Sequence, residues 1–85
     1  MANYVYFIEK SFPAKPDQSE VDYSAGYLTP KLALKYAKEE IKASKGDEYV
    51  IKDTGPESFG LFVSIGNDLA LVCMYKLKNV ELRKV

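Results

Sequence analysis

One stretch of this chain repeats its apolar residues at helical spacing; the other apolar segments alternate, or run solid, over strand-like lengths. That lone helix, Pro30 to Lys45, constrains the fold most. Whatever sheet the other segments build, a single helix is on hand to cover it. Its apolar stripe is Ala33, Leu34, Ala37 and Ile41. Thr29 is placed to accept a hydrogen bond from an unpaired amide of the first turn. Pro30 stands at the first helical position, where a missing N–H costs nothing. Gly46 is expected to close the helix in the left-handed conformation.

Tyr4 to Ile8 is rich in aromatic and β-branched residues on both faces, which predicts a central strand. Lys10 to Ser19 contains Pro13 and Pro16 and reads as a loop. Glu20 to Leu28 sets Val21, Tyr23, Ala25 and Tyr27 against polar neighbours, a second strand pairing antiparallel with the first. Tyr49 to Asp53, Ser58 to Ile65 and Leu69 to Leu77 supply three more strands. Val80 to Val85 is a further strand or a bent continuation. Asp53 to Glu57 and Gly66-Asn67-Asp68 are turns, the latter a hairpin connection. The expected fold class is α+β: a mostly antiparallel sheet of four to six strands, with the helix on one face. The 85 residues suffice for one domain.

The far side of that sheet is the problem the sequence poses. If Phe59, Leu61, Val63 and Ile65 face the helix, Phe62 turns away. If Leu69, Leu71, Cys73 and Tyr75 face it, Ala70, Val72 and Met74 turn away. The first strand adds Val5 and Phe7, or else Tyr4, Tyr6 and Ile8. About six apolar side chains then lack a cover, on the order of 10 kcal/mol of burial. That is comparable with the roughly 5–15 kcal/mol stability of a whole domain. Either the chain covers itself, by curling or by folding the Phe12–Pro13 loop across, or a partner does. Phe7, Phe62, Val72 and Met74 are the expected protein-interface residues.

The chain has 12 basic and 12 acidic side chains, so it exerts no overall pull on nucleic acid or acidic membrane. A single cysteine, Cys73, excludes an internal disulfide and favours a cytoplasmic home. Met1 to Ile8 lacks the basic start of a signal peptide. The longest apolar run, Leu69 to Tyr75, is too short to cross a bilayer.

Chemistry is sparse. The chain has no histidine, the commonest general base and metal ligand. Cys73 lies in the most apolar strand, where a thiol is packing. Asp53-Thr54-Gly55 matches the aspartic-protease triplet, but Ile65-Gly66-Asn67 follows too soon for a flap and Pro56 replaces a small residue. Asp17, Glu20 and Asp22 match no calcium loop. No catalytic residue, metal site or cofactor is expected, and the chain reads as a non-enzyme. Ile8-Glu9-Lys10 and the Ala33–Ala43 segment resemble the opening of HicB-type antitoxins; that family's proline-glycine-cysteine turn is absent, and no function is carried over.

Three functions remain. The first is protein binding by occupying a partner's surface, as an inhibitor, adaptor or regulator, with a second copy as the first partner expected. A histidine-free, cysteine-poor chain of this size suits a bacterial or phage accessory protein. The second is polyanion or nucleic-acid binding through Lys31, Lys35, Lys38, Lys42 and Lys45, which fall within roughly an 80° arc of the helix. The third is a small-ligand pocket between helix and sheet near Tyr23, Tyr27 and Tyr36.

Overall fold

The computed structural model describes residues 3–82, in the order β1 (Asn3–Phe12), β2 (Lys15–Tyr27), α1 (Pro30–Ser44), β3 (Tyr49–Gly55), β4 (Ser58–Ile65) and β5 (Asp68–Leu82). The five strands form one sheet in the order β2-β1-β5-β4-β3, every neighbouring pair antiparallel. This is the α+β fold that the sequence predicts. Val80 to Leu82 continue β5; residues 83–85 lie outside the described residues.

The helix forms for the reasons its sequence gives. Thr29 Oγ1 accepts from the Leu32 N–H at 3.2 Å, and Pro30 opens the first turn. Ala33 and Ala37 are buried, and Leu34 and Ile41 pack against the core that Ala37 joins. The C-terminus differs from expectation. Lys45, in extended backbone (φ −111°, ψ 153°), donates its N–H to the Ile41 carbonyl at 2.9 Å. The chain leaves the helix through that residue, so Gly46 needs no left-handed conformation and has none. Its carbonyl instead accepts from the Tyr49 N–H at 3.2 Å, turning the chain into β3.

The expected loop over residues 10–19 is mostly strand. β1 runs to Phe12 and β2 begins at Lys15, leaving Pro13-Ala14 as a two-residue turn. Proline rules are obeyed locally rather than by breaking both strands. Pro13 sits in the turn. Pro16 lies in an edge strand where the register slips between Ser11↔Ser19 and Phe12↔Lys15, so residues 16–18 have no partner in β1. The Pro56-Glu57 turn repeats the device, with a slip at Thr54 between Asp53↔Phe59 and Gly55↔Ser58. Proline's φ near −65° cannot enter the mirror-image turns that match strand twist, and the neighbouring irregularity absorbs the mismatch. Gly66-Asn67 is the regular case: Gly66 takes φ +61°, which a two-residue hairpin turn requires.

β5 organises the sheet. Asp68–Lys76 pair with β4, and Met74–Leu82 pair with β1. All five strands lie side by side only at Met74, Tyr75 and Lys76. The sheet is therefore two three-stranded halves, β2-β1-β5 and β5-β4-β3, staggered along one strand, and the molecule measures 54 × 27 × 22 Å. The core sits at the crossing, where Ala37 meets Phe59, Leu61, Cys73 and Tyr75, flanked by Ile8, Phe12, Leu34, Ile41, Tyr49 and Ile51. Phe59 and Tyr75 stack with centroids 4.8 Å apart.

Candidate functional site: the open face of the sheet

Contacts settle which residues lie under the helix. Tyr27 stacks on Tyr36 of α1 with centroids 5.8 Å apart, and Tyr6 lies opposite Tyr27. Tyr4, Tyr6 and Ile8 therefore share the helix side, and Val5 and Phe7 turn to the other. Phe12 packs in the helix-side core, so it does not fold across the far face. Among the described residues, no element covers that face.

The open face carries two apolar clusters, each floored by a glycine. A Cβ on Gly26 would meet Val5 Cγ1 at 2.6 Å and Phe7 Cε1 at 3.1 Å. Tyr23 stands edge-on to Phe7, centroids 5.0 Å apart, and Val80 lies opposite Val5. In the other half, a Cβ on Gly60 would meet Phe62 Cε2 at 2.9 Å, Met74 Sδ at 3.2 Å and Leu71 Cδ1 at 3.3 Å. Val50 lies opposite Phe62 and extends this second cluster.

Phe62 and Met74 are thus brought together as expected, with Phe7 in the first cluster. Ser11, the residue opposite Met74, stands four positions along β1 from Phe7, about 13 Å of strand. Val72 is different. Leu61 pairs with Cys73 and Phe62 with Leu71, so Val72 is an extra, unpaired residue at a bulge. Simple alternation across it fails. Leu71 and Leu69, expected under the helix, lie on the open side, opposite Phe62 and Ser64. Ile65, expected in the core, is 61 % exposed at the hairpin tip. Alternation missed Leu71 because nothing in Leu69–Tyr75 marks where the extra residue falls.

A polar band separates the clusters. Glu9 accepts from the Ser19 hydroxyl at 2.9 Å and lies 3.5 Å from the Lys76 ammonium. Lys78 and Lys52 stand on the same face, opposite Phe7 and Gly60. Among the described residues, neither has a carboxylate within ion-pair distance.

The predicted lysine stripe is uneven. Lys38 Nζ lies 2.6 Å from Asp53 Oδ1 and 5.5 Å from the Phe59 ring centroid, so it is committed to the sheet. Lys45 caps the helix and lies 5.3 Å from the Tyr49 ring, and Lys35 lies 5.9 Å from the Tyr36 ring. Lys31 and Lys42 are exposed.

The predicted tyrosine pocket is divided between two faces. Tyr27 and Tyr36 stack on the helix side, and Tyr23 is on the other, because the β1–β2 register slips between Tyr6↔Tyr27 and Ile8↔Asp22. A groove of about 380 Å³ does lie between β2 and α1, over Ile8, Ala37 and Tyr75, with Glu20, Asp22 and Glu40 along its rim. Burial, and then the neighbouring Cys73, push the Tyr75 phenol well above its usual pKa. Asp22 is held below the carboxylate range by the hydroxyl and N–H of Ser24.

No described helix is long and apolar enough to cross a membrane. Asp53-Thr54-Gly55 is the end of β3, its aspartate paired with Lys38. Comparison with family models, curated proteins and solved structures finds no match for this chain.

Proposed function

We propose that this protein is a non-enzymatic protein-binding module, an inhibitor, adaptor or regulator, whose working surface is the open face of its sheet. One observation carries the reading: Phe62, Leu71 and Met74 pack over Gly60 on a face that no described element covers. Large side chains ordered around a glycine floor make a shaped surface rather than scattered exposure. The occupant that fits is another protein, with an apolar patch edged by carboxylates. Lys52 and Lys78 supply the complementary charge. Two copies stacked here would gather Lys52, Lys76 and Lys78 of each against Glu9 of each, which disfavours self-association through this face. The lone, buried Cys73 fits a reducing compartment, and we read the site of action as cytoplasmic.

The test compares the wild type with a Phe62→Asp/Met74→Asp variant that keeps its circular dichroism. Proteins cross-linked from source-cell extract are purified and titrated calorimetrically. A partner that binds the wild type with negative heat-capacity change, and the variant at least about tenfold more weakly, supports the reading. Equal binding to both overturns it. Steeply salt-dependent binding abolished by changing Lys31, Lys35 and Lys42 to glutamate also overturns it, in favour of a polyanion.

A further inference from the structure

We propose that β3 is an assembly edge: two copies of this chain pair antiparallel through β3, about a twofold axis at Ile51, joining their five-stranded sheets into one. The backbone register makes the case. Ser64 N–H donates to the Glu48 carbonyl at 2.8 Å, and Tyr49 lies opposite Val63. In an antiparallel ladder this makes Tyr49–Val63 a pair without mutual bonds, and gives the bonds to Val50–Phe62 and Lys52–Gly60. The backbone groups of Tyr49, Ile51 and Asp53 therefore point away from β4, to the sheet's outer edge. The Tyr49 N–H is already held by the Gly46 carbonyl at 3.2 Å. The Tyr49 carbonyl and both groups of Ile51 and Asp53 remain.

That set is self-complementary. With Ile51 opposite its own counterpart, the two isoleucines exchange N–H···O=C bonds. Each Asp53 N–H then donates to the other copy's Tyr49 carbonyl. The pairing uses the free Tyr49 acceptor and leaves its occupied N–H undisturbed. Lys52 falls beside the second copy's Val50, not its Lys52, so like charges stay apart. Lys45, near the Tyr49 ring, comes beside the second copy's Asp53.

The rest of the molecule agrees. α1 lies chiefly over β1, β2 and β5, and reaches β3 through the side chains of Lys38, at Asp53, and Lys45, at the Tyr49 ring. A groove of about 300 Å³ between α1 and β3, lined by Ile41, Tyr49, Ile51 and Leu61, gains an apolar wall from the second copy's Ile51. The other edge is guarded. β2 contains Pro16 and two register slips, and it carries Asp17, Glu20 and Asp22, which would face like charges.

This inference does not rest on the open face. It is tested by sedimentation over a concentration series together with amide hydrogen exchange. The expected result is a weak dimer whose Ile51 and Asp53 amides gain about tenfold or more protection as concentration rises. The Val50 and Lys52 amides, bonded to β4, are protected throughout. Asp53→Pro removes two of the four cross-copy bonds and no bond to β4, and weakens the dimer by roughly thirtyfold. A monomer at millimolar concentration overturns the proposal. So does a dimer in which the Ile51 and Asp53 amides exchange as freely as in the monomer; that result moves the interface elsewhere, the open face included. Should Asp53→Pro unfold, the exchange pattern of the wild type decides.

Discussion

Tyr75 shows how much one position can carry in a domain this small. It sits where all five strands meet, stacked on Phe59 on one side and opposite Lys10 on the other, the Lys10 ammonium 6.0 Å from its ring. Its phenol titrates higher in the folded protein than the ordinary value near 10. The stability this represents is intact below that ordinary value. It is lost as pH rises above it, because the unfolded chain then ionises and the folded one does not. Denaturant titrations should show a fall in stability starting near pH 10, and Tyr75→Phe should flatten that fall. Gly26 is a second such position. A methyl group there would press on Val5 Cγ1, a branched side chain with little freedom to move. Gly26→Ala should cost about 1–3 kcal/mol in chemical denaturation, with the loss concentrated in the β1–β2 half.

At the level of elements, the sequence was most readable where one local rule acts alone. Thr29-Pro30 starts the helix and Gly66-Asn67 makes the hairpin, each from a few adjacent residues. The strands beside the prolines were read too short, because a proline in a turn or at an edge interrupts less than its intrinsic preference suggests. Face assignments held for Cys73 and Tyr75 and failed for Leu71 and Leu69 on the other side of the β5 bulge, since one added residue inverts the alternation across it and no residue type announces it. The bulge makes its own prediction. Leu61↔Cys73 and Phe62↔Leu71 would be consecutive pairs if Val72 were absent. Deleting Val72 should leave the fold and the Phe62–Leu71 contact in place, at a cost within about 1–2 kcal/mol. Thermal melts measure the cost, and proton–proton contacts by magnetic resonance show the pairing. Loss of the Phe62–Leu71 contact would mean that the bulge sets the register.

For the whole molecule, the sequence correctly implied one helix and more sheet than it could cover. It did not show that the sheet is staggered. A helix of 15 residues is about 22 Å long, against a molecule 54 Å long. Even the helix's own side is open beyond the crossing, where Tyr4 and Leu28 are exposed. Neither the stagger nor the free edge of β3 could be read from periodicity, because both depend on which strands meet. The candidate surface was legible in part: Phe62 and Met74 were found, and Leu71, Val50 and Tyr23 were not.

The joining of the first strand to the last also sets a timetable. A ribosome makes β1 and β2 long before β5, and the side of β1 that will meet Met74–Leu82 has no partner until those residues emerge. The early hairpin must wait with one backbone edge bare, while β3 and β4 can pair as soon as they are made. Slow translation of the stretch from β3 to β5 would therefore prolong the aggregation-prone interval, and faster translation would shorten it.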